Sequence, residues 1–167
     1  ANIGAILEER GQLDSARVYY AESLRCNELA GSDLGISLCH THFGRLYENE
    51  GDLDKAVSEY KLAYDAMKDS KDRWHWLESC LSLSRVHHAK GSVHLARTYL
   101  EEAKNEAEAI GSTGHLADVY HLEYTIESSA GNYRKALGAS RKSSEYSSQA
   151  ADEKNRRHMP HGRARYA

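Results

Sequence analysis

Four glycines, Gly11, Gly51, Gly91 and Gly131, stand 40 residues apart along this chain of 167. Reading onward from them gives GQLDSA, GDLDKA, GSVHLA and GNYRKA, so Ala16, Ala56, Ala96 and Ala136 each follow their glycine by five residues. Self-similarity at one fixed period means equal units that bury their apolar faces against their neighbours, which excludes a single closed core. Four residues past the alanine stand Tyr20, Tyr60 and Leu100, with Leu24, Ala63 and Ala103 near the following turn. The small alanine admits a close helix neighbour, and the large residue one turn on fills the space beside it.

The units are helical. The one proline, Pro160, lies near the C-terminus, and the rest is rich in Ala, Leu, Glu, Lys and Ser with few β-branched residues. An amphipathic stretch precedes each glycine, as in LCHTHFGRLYENEG and LESCLSLSRVHHAKG, so each unit reads as two antiparallel helices. Glycine suits the turn between them because it takes positive φ without a Cβ clash, and Asp52 or Asn132 beside it can assist the turn or cap the next helix. The turns predict helices over 1–10, 13–29, 34–50, 53–69, 73–90, 93–110, 115–130 and 133–149. Gly31, Gly35, Gly111 and Gly114 mark two junctions between units, and DSKD at 69–72 marks the third.

These residues resemble the tetratricopeptide repeat (TPR) family. Its pattern of a small residue, an aromatic three later, a turn glycine and a small alanine appears as Gly44, Tyr47, Gly51 and Ala56. The first unit offers Gly4, Leu7, Gly11 and Ala16, and the third Ser84, His87, Gly91 and Ala96. The fourth matches least, with Tyr124 and Glu127 at the first two positions, though Gly131 and Ala136 hold. The resemblance implies an all-α fold, a right-handed superhelical α-solenoid of TPR-like helix-turn-helix repeats. Residues 1–150 then hold four repeats, at about 1–30, 34–70, 73–110 and 115–150, and 151–167 form a polar, basic C-terminal extension or linker helix. The period of 40 exceeds the roughly 34 usual for the family, which means longer helices. Similar elongated repeats occur in peptide-sensing bacterial regulators, in sensor segments of bacterial signalling proteins and in animal cell-polarity scaffolds. The chain opens on Ala1 inside the first helix of its first repeat, which implies lost preceding material.

In such an array the first helix of each repeat lines a concave groove, the default binding surface. Placing the family's groove positions on this chain selects Thr41, His42 and Arg45, then Ser82, Arg85 and His88, then His121 and Thr125. Arg45 and Arg85 are one period apart. Two guanidiniums flanked by imidazoles and hydroxyls suit carboxylates, such as acidic peptide side chains or a free C-terminus. The competing reading pairs Arg45 and Arg85 with Glu48 or Glu78 across the helices. The Lys and Asn set with which some relatives clamp a chaperone's C-terminal carboxylate is not reproduced. Protonation of groove histidines near the reference value of about 6.5 would make binding pH dependent.

The other function classes lose ground on composition. The formal net charge is −3; residues 151–167 carry five Lys or Arg against two acids, a local +3 that leaves −6 on the remainder. An acidic array without a basic stripe interleaved with aromatics is not a specific nucleic-acid binder. No apolar run reaches the roughly 20 residues a membrane-spanning helix needs. No nucleophile-elbow, Walker, dinucleotide-glycine or paired-histidine zinc motif occurs, so no catalytic residue or cofactor is expected and the chain reads as no enzyme. Of the ten histidines, His87, His88 and His94, or His40 and His42, are the metal candidates, but 87 with 88 and 40 with 42 diverge around a helix, so no metal site is expected. His87 reads instead as a packed ring in the repeat's aromatic position. Trp74 and Trp76 read as an interhelix packing element at a junction; two apart on a helix, they cannot both face the core, so the alternative exposes one as a partner contact. Cys26, Cys39 and Cys80 form no CxxC and favour a reducing compartment, hence a cytoplasmic location, with a periplasmic sensor segment as the alternative. The serines read as unaccompanied hydroxyls on helix surfaces. The function expected is a noncatalytic scaffold that holds a protein or peptide segment, acidic in character, in its groove. The alternative is a sensory or dimerisation segment of a larger bacterial signalling or transcriptional regulator, with homo-oligomerisation as its mode.

Overall fold

Short polar side chains set where the helices begin. Asn2, Ser32, Asp52, Asp72 and Ser112 each accept a hydrogen bond from a backbone N–H two or three residues on, at 2.9–3.4 Å, so each start falls just after one of them. Residues 2–159 are described by a computed structural model and form eight α-helices: α1 Ile3–Glu9, α2 Leu13–Ala30, α3 Asp33–Glu50, α4 Leu53–Met67, α5 Arg73–Ala89, α6 Val93–Ile110, α7 Thr113–Ser129 and α8 Tyr133–His158. No strand occurs among the described residues, and the fold is an all-α, TPR-like helical solenoid.

The periodic glycines close the hairpins. Gly51 and Gly91 have φ of 83° and 82°, a region costly for any residue with a Cβ. The Gly51 N–H donates to the Glu48 carbonyl and the Asp52 N–H to that of Tyr47; Gly91 and Ser92 do the same toward His88 and His87. Each turn therefore satisfies carbonyls that the preceding helix end would leave unpaired. The helix starts differ from expectation where a cap outranks a glycine. Ser112 accepts from the His115 N–H, so α7 begins at Thr113, ahead of Gly114.

The chain divides into two compact units, the first ending at Glu106 and the second beginning at Ala107, within α6. In the first, α1 to α5 pack in sequence, and α3 also meets α5. Ala16, Ala56 and Ala96 are fully buried, and Tyr20 and Tyr60 are 1% exposed, so the periodic small and large positions are core positions. The fit is close: a Cβ on Gly44 would come within 2.7 Å of the Tyr60 ring, and one on Gly4 within 2.3 Å of the Tyr20 ring. At the same register Ser84 is fully buried, and its hydroxyl donates to the Ala96 carbonyl at 2.7 Å. Ser37 does likewise toward the Ala63 carbonyl at 3.2 Å. The expectation of surface serines is thus corrected for Ser37, Ser79 and Ser84, which lie at close helix crossings where only a small side chain fits.

In the second unit α7 packs on α8, and Leu116, Ala117, Val119, Tyr120 and Ile126 of α7 and Ala136 and Ala139 of α8 are buried. The rings of Tyr120 and Tyr146 stack with centroids 5.7 Å apart, and the Lys142 ammonium lies over Tyr120. Helix α8 continues past residue 149 to His158 because its added turns are good helix formers and end in Arg156, Arg157 and His158, whose charge suits a helix C-terminus. Met159 turns extended, as the residue before a proline must. Pro160, Gly162 and the rest of the basic tail lie outside the described residues.

Candidate functional site

Both groove arginines are held by the repeat before them. Arg45, on α3, grips Glu8 of α1: its Nε donates to Oε2 at 3.1 Å and its Nη2 to Oε1 at 2.8 Å. The Tyr20 hydroxyl, from α2, donates to the same carboxylate at 2.5 Å. Forty residues on, Arg85 of α5 donates to Glu48 of α3 through Nε at 3.0 Å and Nη2 at 2.9 Å, and the Tyr60 hydroxyl of α4 donates to Glu48 at 2.8 Å. Acid, tyrosine and arginine come from three successive helices, so each clamp locks one hairpin to the next. The unit works as a whole because a buried carboxylate needs several donors to offset its lost hydration.

Electrostatics follow the geometry. Burial works to raise the carboxyl pKa of Glu8, but the hydrogen bonds from Arg45 and Tyr20 and the Arg45 charge outweigh it and hold Glu8 below the ordinary carboxylate value. Glu48 is likewise held low against burial by the Arg85 hydrogen bond and charge and by Tyr60. Burial, and then the bond to Glu8 or Glu48, pushes the Tyr20 and Tyr60 hydroxyls far up, so they stay protonated and donate to the carboxylates. Exposure is lopsided. The Arg45 side chain is 40% exposed against 12% for Glu8, and Arg85 is 48% exposed against 23% for Glu48. Each clamp turns its cation outward and its anion inward.

A guanidinium has two edges able to take a carboxylate, Nε with Nη2 and Nη1 with Nη2. Glu8 and Glu48 occupy the first edge of each arginine, and the bonds described for Arg45 and Arg85 use no Nη1.

The remaining expected site residues divide between the two units. His42 stacks on Tyr20 with centroids 4.5 Å apart and places Nδ1 2.9 Å from Arg45 Nη2. Burial, then the Arg45 charge, pushes its imidazole below the ordinary value, so it stays neutral at neutral pH and makes a poor pH sensor there. The Thr41 hydroxyl donates to the Ser37 carbonyl at 2.9 Å. Ser82 and His88 are partly buried on α5. His121 and Thr125 stand on α7 in the second unit, where the Thr125 hydroxyl donates to the His121 carbonyl at 3.1 Å. Of the eight, the structure joins His42 and Arg45 directly and sets Thr41 on the same helix.

Sequence reasoning named Glu48 and missed Glu8, Tyr20 and Tyr60 as members of the clamps. A signal existed: Glu8 with Glu48, Tyr20 with Tyr60 and Arg45 with Arg85 are all one period apart. Elsewhere, Trp76 is buried at 7% while Trp74 is 50% exposed, which resolves which tryptophan faces outward. His87 is buried and stacks on Tyr99 at 5.6 Å, a packed ring as expected. Among the described residues no group of three or more His, Cys, Asp and Glu is placed to hold a metal. No helix there is long and apolar enough to cross a membrane.

Residues 39–68 match the family profile described as Tetratricopeptide repeat. A search of curated proteins gives no significant match. Three solved structures are similar over most of the chain. BtubC (BKLC) from P. vanneervenii is 12% identical with a TM-score of 0.78, covering 99% of this chain and 66% of its own. Aspartyl phosphate phosphatase F from Bacillus subtilis is 18% identical with a TM-score of 0.78, covering 90% and 39%. The apo form of RapI is 15% identical with a TM-score of 0.66, covering 92% and 66%. The chain thus spans about two thirds of BtubC and RapI and well under half of the phosphatase. At these identities the likeness is one of fold.

Proposed function

We propose, from the Tetratricopeptide repeat match over residues 39–68, that this chain is a noncatalytic scaffold that captures an acidic protein or peptide segment in the groove of its repeats. The four repeats are those at 1–30, 34–70, 73–110 and 115–150. The observation that carries the reading is the outward turn of Arg45 and Arg85, each more exposed than the acid that holds it and each with no described bond at Nη1. Glu8 and Glu48 fix the guanidiniums in place, so a second carboxylate meets donors already oriented and loses less entropy on binding. Thr41, His42, Ser82 and His88 fill out the contact surface of the first unit, and His121 and Thr125 are the corresponding candidates on α7 of the second. Burial pushes the Cys39 and Cys80 thiols up, which suits inert core residues, and three free thiols suit a reducing cytoplasm.

A second reading rests on the likeness to aspartyl phosphate phosphatase F and RapI. In it the chain is the sensory or dimerisation segment of a larger bacterial signalling regulator, and the captured segment changes an output elsewhere.

The test is selection of a displayed random peptide library on the immobilised protein, against an Arg45→Lys, Arg85→Lys variant of unchanged helicity. Lysine keeps the charge and the pairing with Glu8 and Glu48 but has no second planar edge. Peptides rich in Asp and Glu on the wild type, with enrichment lost at least tenfold on the variant, are expected. Equal enrichment on both proteins, or none on either, overturns the proposal.

A further inference from the structure

Counting from Gly11, Gly51 and Gly131 puts the helices that follow them in one register, and one stripe of that register meets the next helix of the chain. On α2 the stripe includes Arg17, Tyr20 and Asn27, and all three reach α3. Arg17 pairs with Glu50, Tyr20 stacks on His42 with centroids 4.5 Å apart, and the Asn27 amide donates to the Cys39 Sγ at 3.8 Å. On α4 it is Leu53, Val57, Tyr60, Tyr64 and Met67, partly or fully buried, and it meets α5. The Tyr64 and Trp76 ring centroids are 5.4 Å apart, and the Arg85 guanidinium lies over Tyr60. Two periods on, the stripe becomes Tyr133, Leu137, Ser140, Ser144 and Ser147 of α8, which alternate spacings of four and three and so share one face. Tyr133 and Leu137 are 74% and 54% exposed, and Ser144 and Ser147 are exposed too. The face that carries the following helix in α2 and α4 is therefore open in α8. A depression of about 690 Å³, lined by Gly131, Asn132, Tyr133, Arg134 and Lys135, lies at its N-terminal end.

Charge says what fits there. Asp54, at the start of α4, reaches Lys90 at the end of α5 at 2.6 Å, and Arg17, near the start of α2, reaches Glu50 at the end of α3. The opening turns of each helix thus meet the charge at the far end of the helix docked on it. On α8 the Asp54 position is Arg134, and Arg141 stands two turns further on the same side; both are exposed. We infer that α8 is a second docking surface, separate from the groove, that takes one acidic helix of a partner protein in the way α4 takes α5. That helix runs antiparallel to α8, as helices joined by a short turn do, and sets Asp or Glu at its C-terminal end against Arg134. It supplies the bulky apolar side chains itself, because Ser140, Ser144 and Ser147 stand where α4 has Tyr60, Tyr64 and Met67. From 133 to 147 the face is about 21 Å long, which calls for about four turns of partner helix. A second copy of α8 fits worse: the helix carries seven Lys and Arg against three Asp and Glu, so two such faces repel.

The test is selection of a displayed library of helical peptides of about four turns on the Arg45→Lys, Arg85→Lys protein, so that the groove arginines do not direct the outcome. Enriched helices should carry Leu, Ile, Phe or Met along one stripe and Asp or Glu in the last turn. A synthetic helix from the pool should bind the wild type equally well. It should bind at least tenfold more weakly to Arg134→Glu with Arg141→Glu, and to Leu137→Ser, exposed substitutions whose helicity is checked by circular dichroism. Its binding should slow amide hydrogen exchange over 133–147. Helices without acids, affinity unchanged in both variants, or protection away from α8 overturn the inference. A dimer in sedimentation that Leu137→Ser dissolves also overturns it, since a second copy then covers the face. Failure of acid capture by Arg45 and Arg85 leaves it standing.

Discussion

The two units answer the same problem, a polar group that must be buried where helices cross, in different ways. In the first, Glu8 and Glu48 each draw a tyrosine and an arginine from neighbouring hairpins, so satisfying the acid also ties hairpin to hairpin. In the second, Glu127 is 2% exposed and accepts at 2.6 Å from the side-chain amide of Asn132, with Lys135 at 3.7 Å from its other oxygen. Those groups lie just along the chain, at the turn into α8. A long-range clamp stabilises the stacking of repeats, whereas the Asn132 and Lys135 contacts of Glu127 stabilise the turn they stand in. The sequence marks where the clamp stops, since its acid, tyrosine and arginine become His88, Leu100 and Thr125 one period on.

The sharpest way to break the contrast is at Gly44. A Gly44→Val side chain enters the buried Tyr60 ring, displaces its hydroxyl from Glu48 and opens the clamp. Overpacking of this kind costs about 3 kcal/mol. Chemical denaturation followed by tryptophan emission reports it, because both tryptophans lie in the first unit.

A smaller effect is expected from Glu8→Gln with Glu48→Gln, which keeps shape and removes charge. Each loses about 1–2 kcal/mol at pH 7, the scale of a hydrogen bond to a charged group. The pH profile sharpens it. Both carboxyls sit below their ordinary value of 4.5 in the folded chain, so their contribution is complete above that value and is lost as pH falls through the lower folded value. The wild type should therefore lose stability below pH 4.5 more steeply than the double variant. His42, also depressed, adds a shallower loss as pH falls below its ordinary 6.5, and this part should persist in the variant.

The smallest effect lies in the second unit and has the opposite sign. Gly138, inside α8, has ordinary helical backbone and open space where a Cβ would stand. Gly138→Ala should stabilise α8 by about 0.5–1 kcal/mol, seen as slower amide hydrogen exchange along that helix. Gly44 and Gly138 are both glycines inside helices; only what faces them differs.

Much of this was legible in the chain. The periodic glycines located the hairpin turns and the periodic alanines located core positions, because each depends on a few neighbouring residues; of the two residues offered as caps, Asp52 accepts from the Lys55 N–H and Asn132 makes no side-chain cap bond. Thr113 as the start of α7 and the run of α8 to His158 were less legible, since they hang on a cap against a glycine and on helix propensity against a falling apolar pattern. The arginines of the candidate site were legible as a pair one period apart, and their partners only in part. Sequence offered Glu48 or Glu78 for either arginine, whereas Arg45 takes Glu8, 37 residues away, and Arg85 takes Glu48 at the same separation.

By itself, then, the sequence determined the class of fold, the spacing of the turns and the periodic alanine and tyrosine positions of the core, since periodicity and turn chemistry are local and additive. Tertiary structure alone decided which acid holds which arginine, which guanidinium nitrogens it engages and which tryptophan faces outward. Those outcomes depend on how successive helices cross and on which side chain reaches a half-buried carboxylate first. No spacing along the chain encodes that until the hairpins stack.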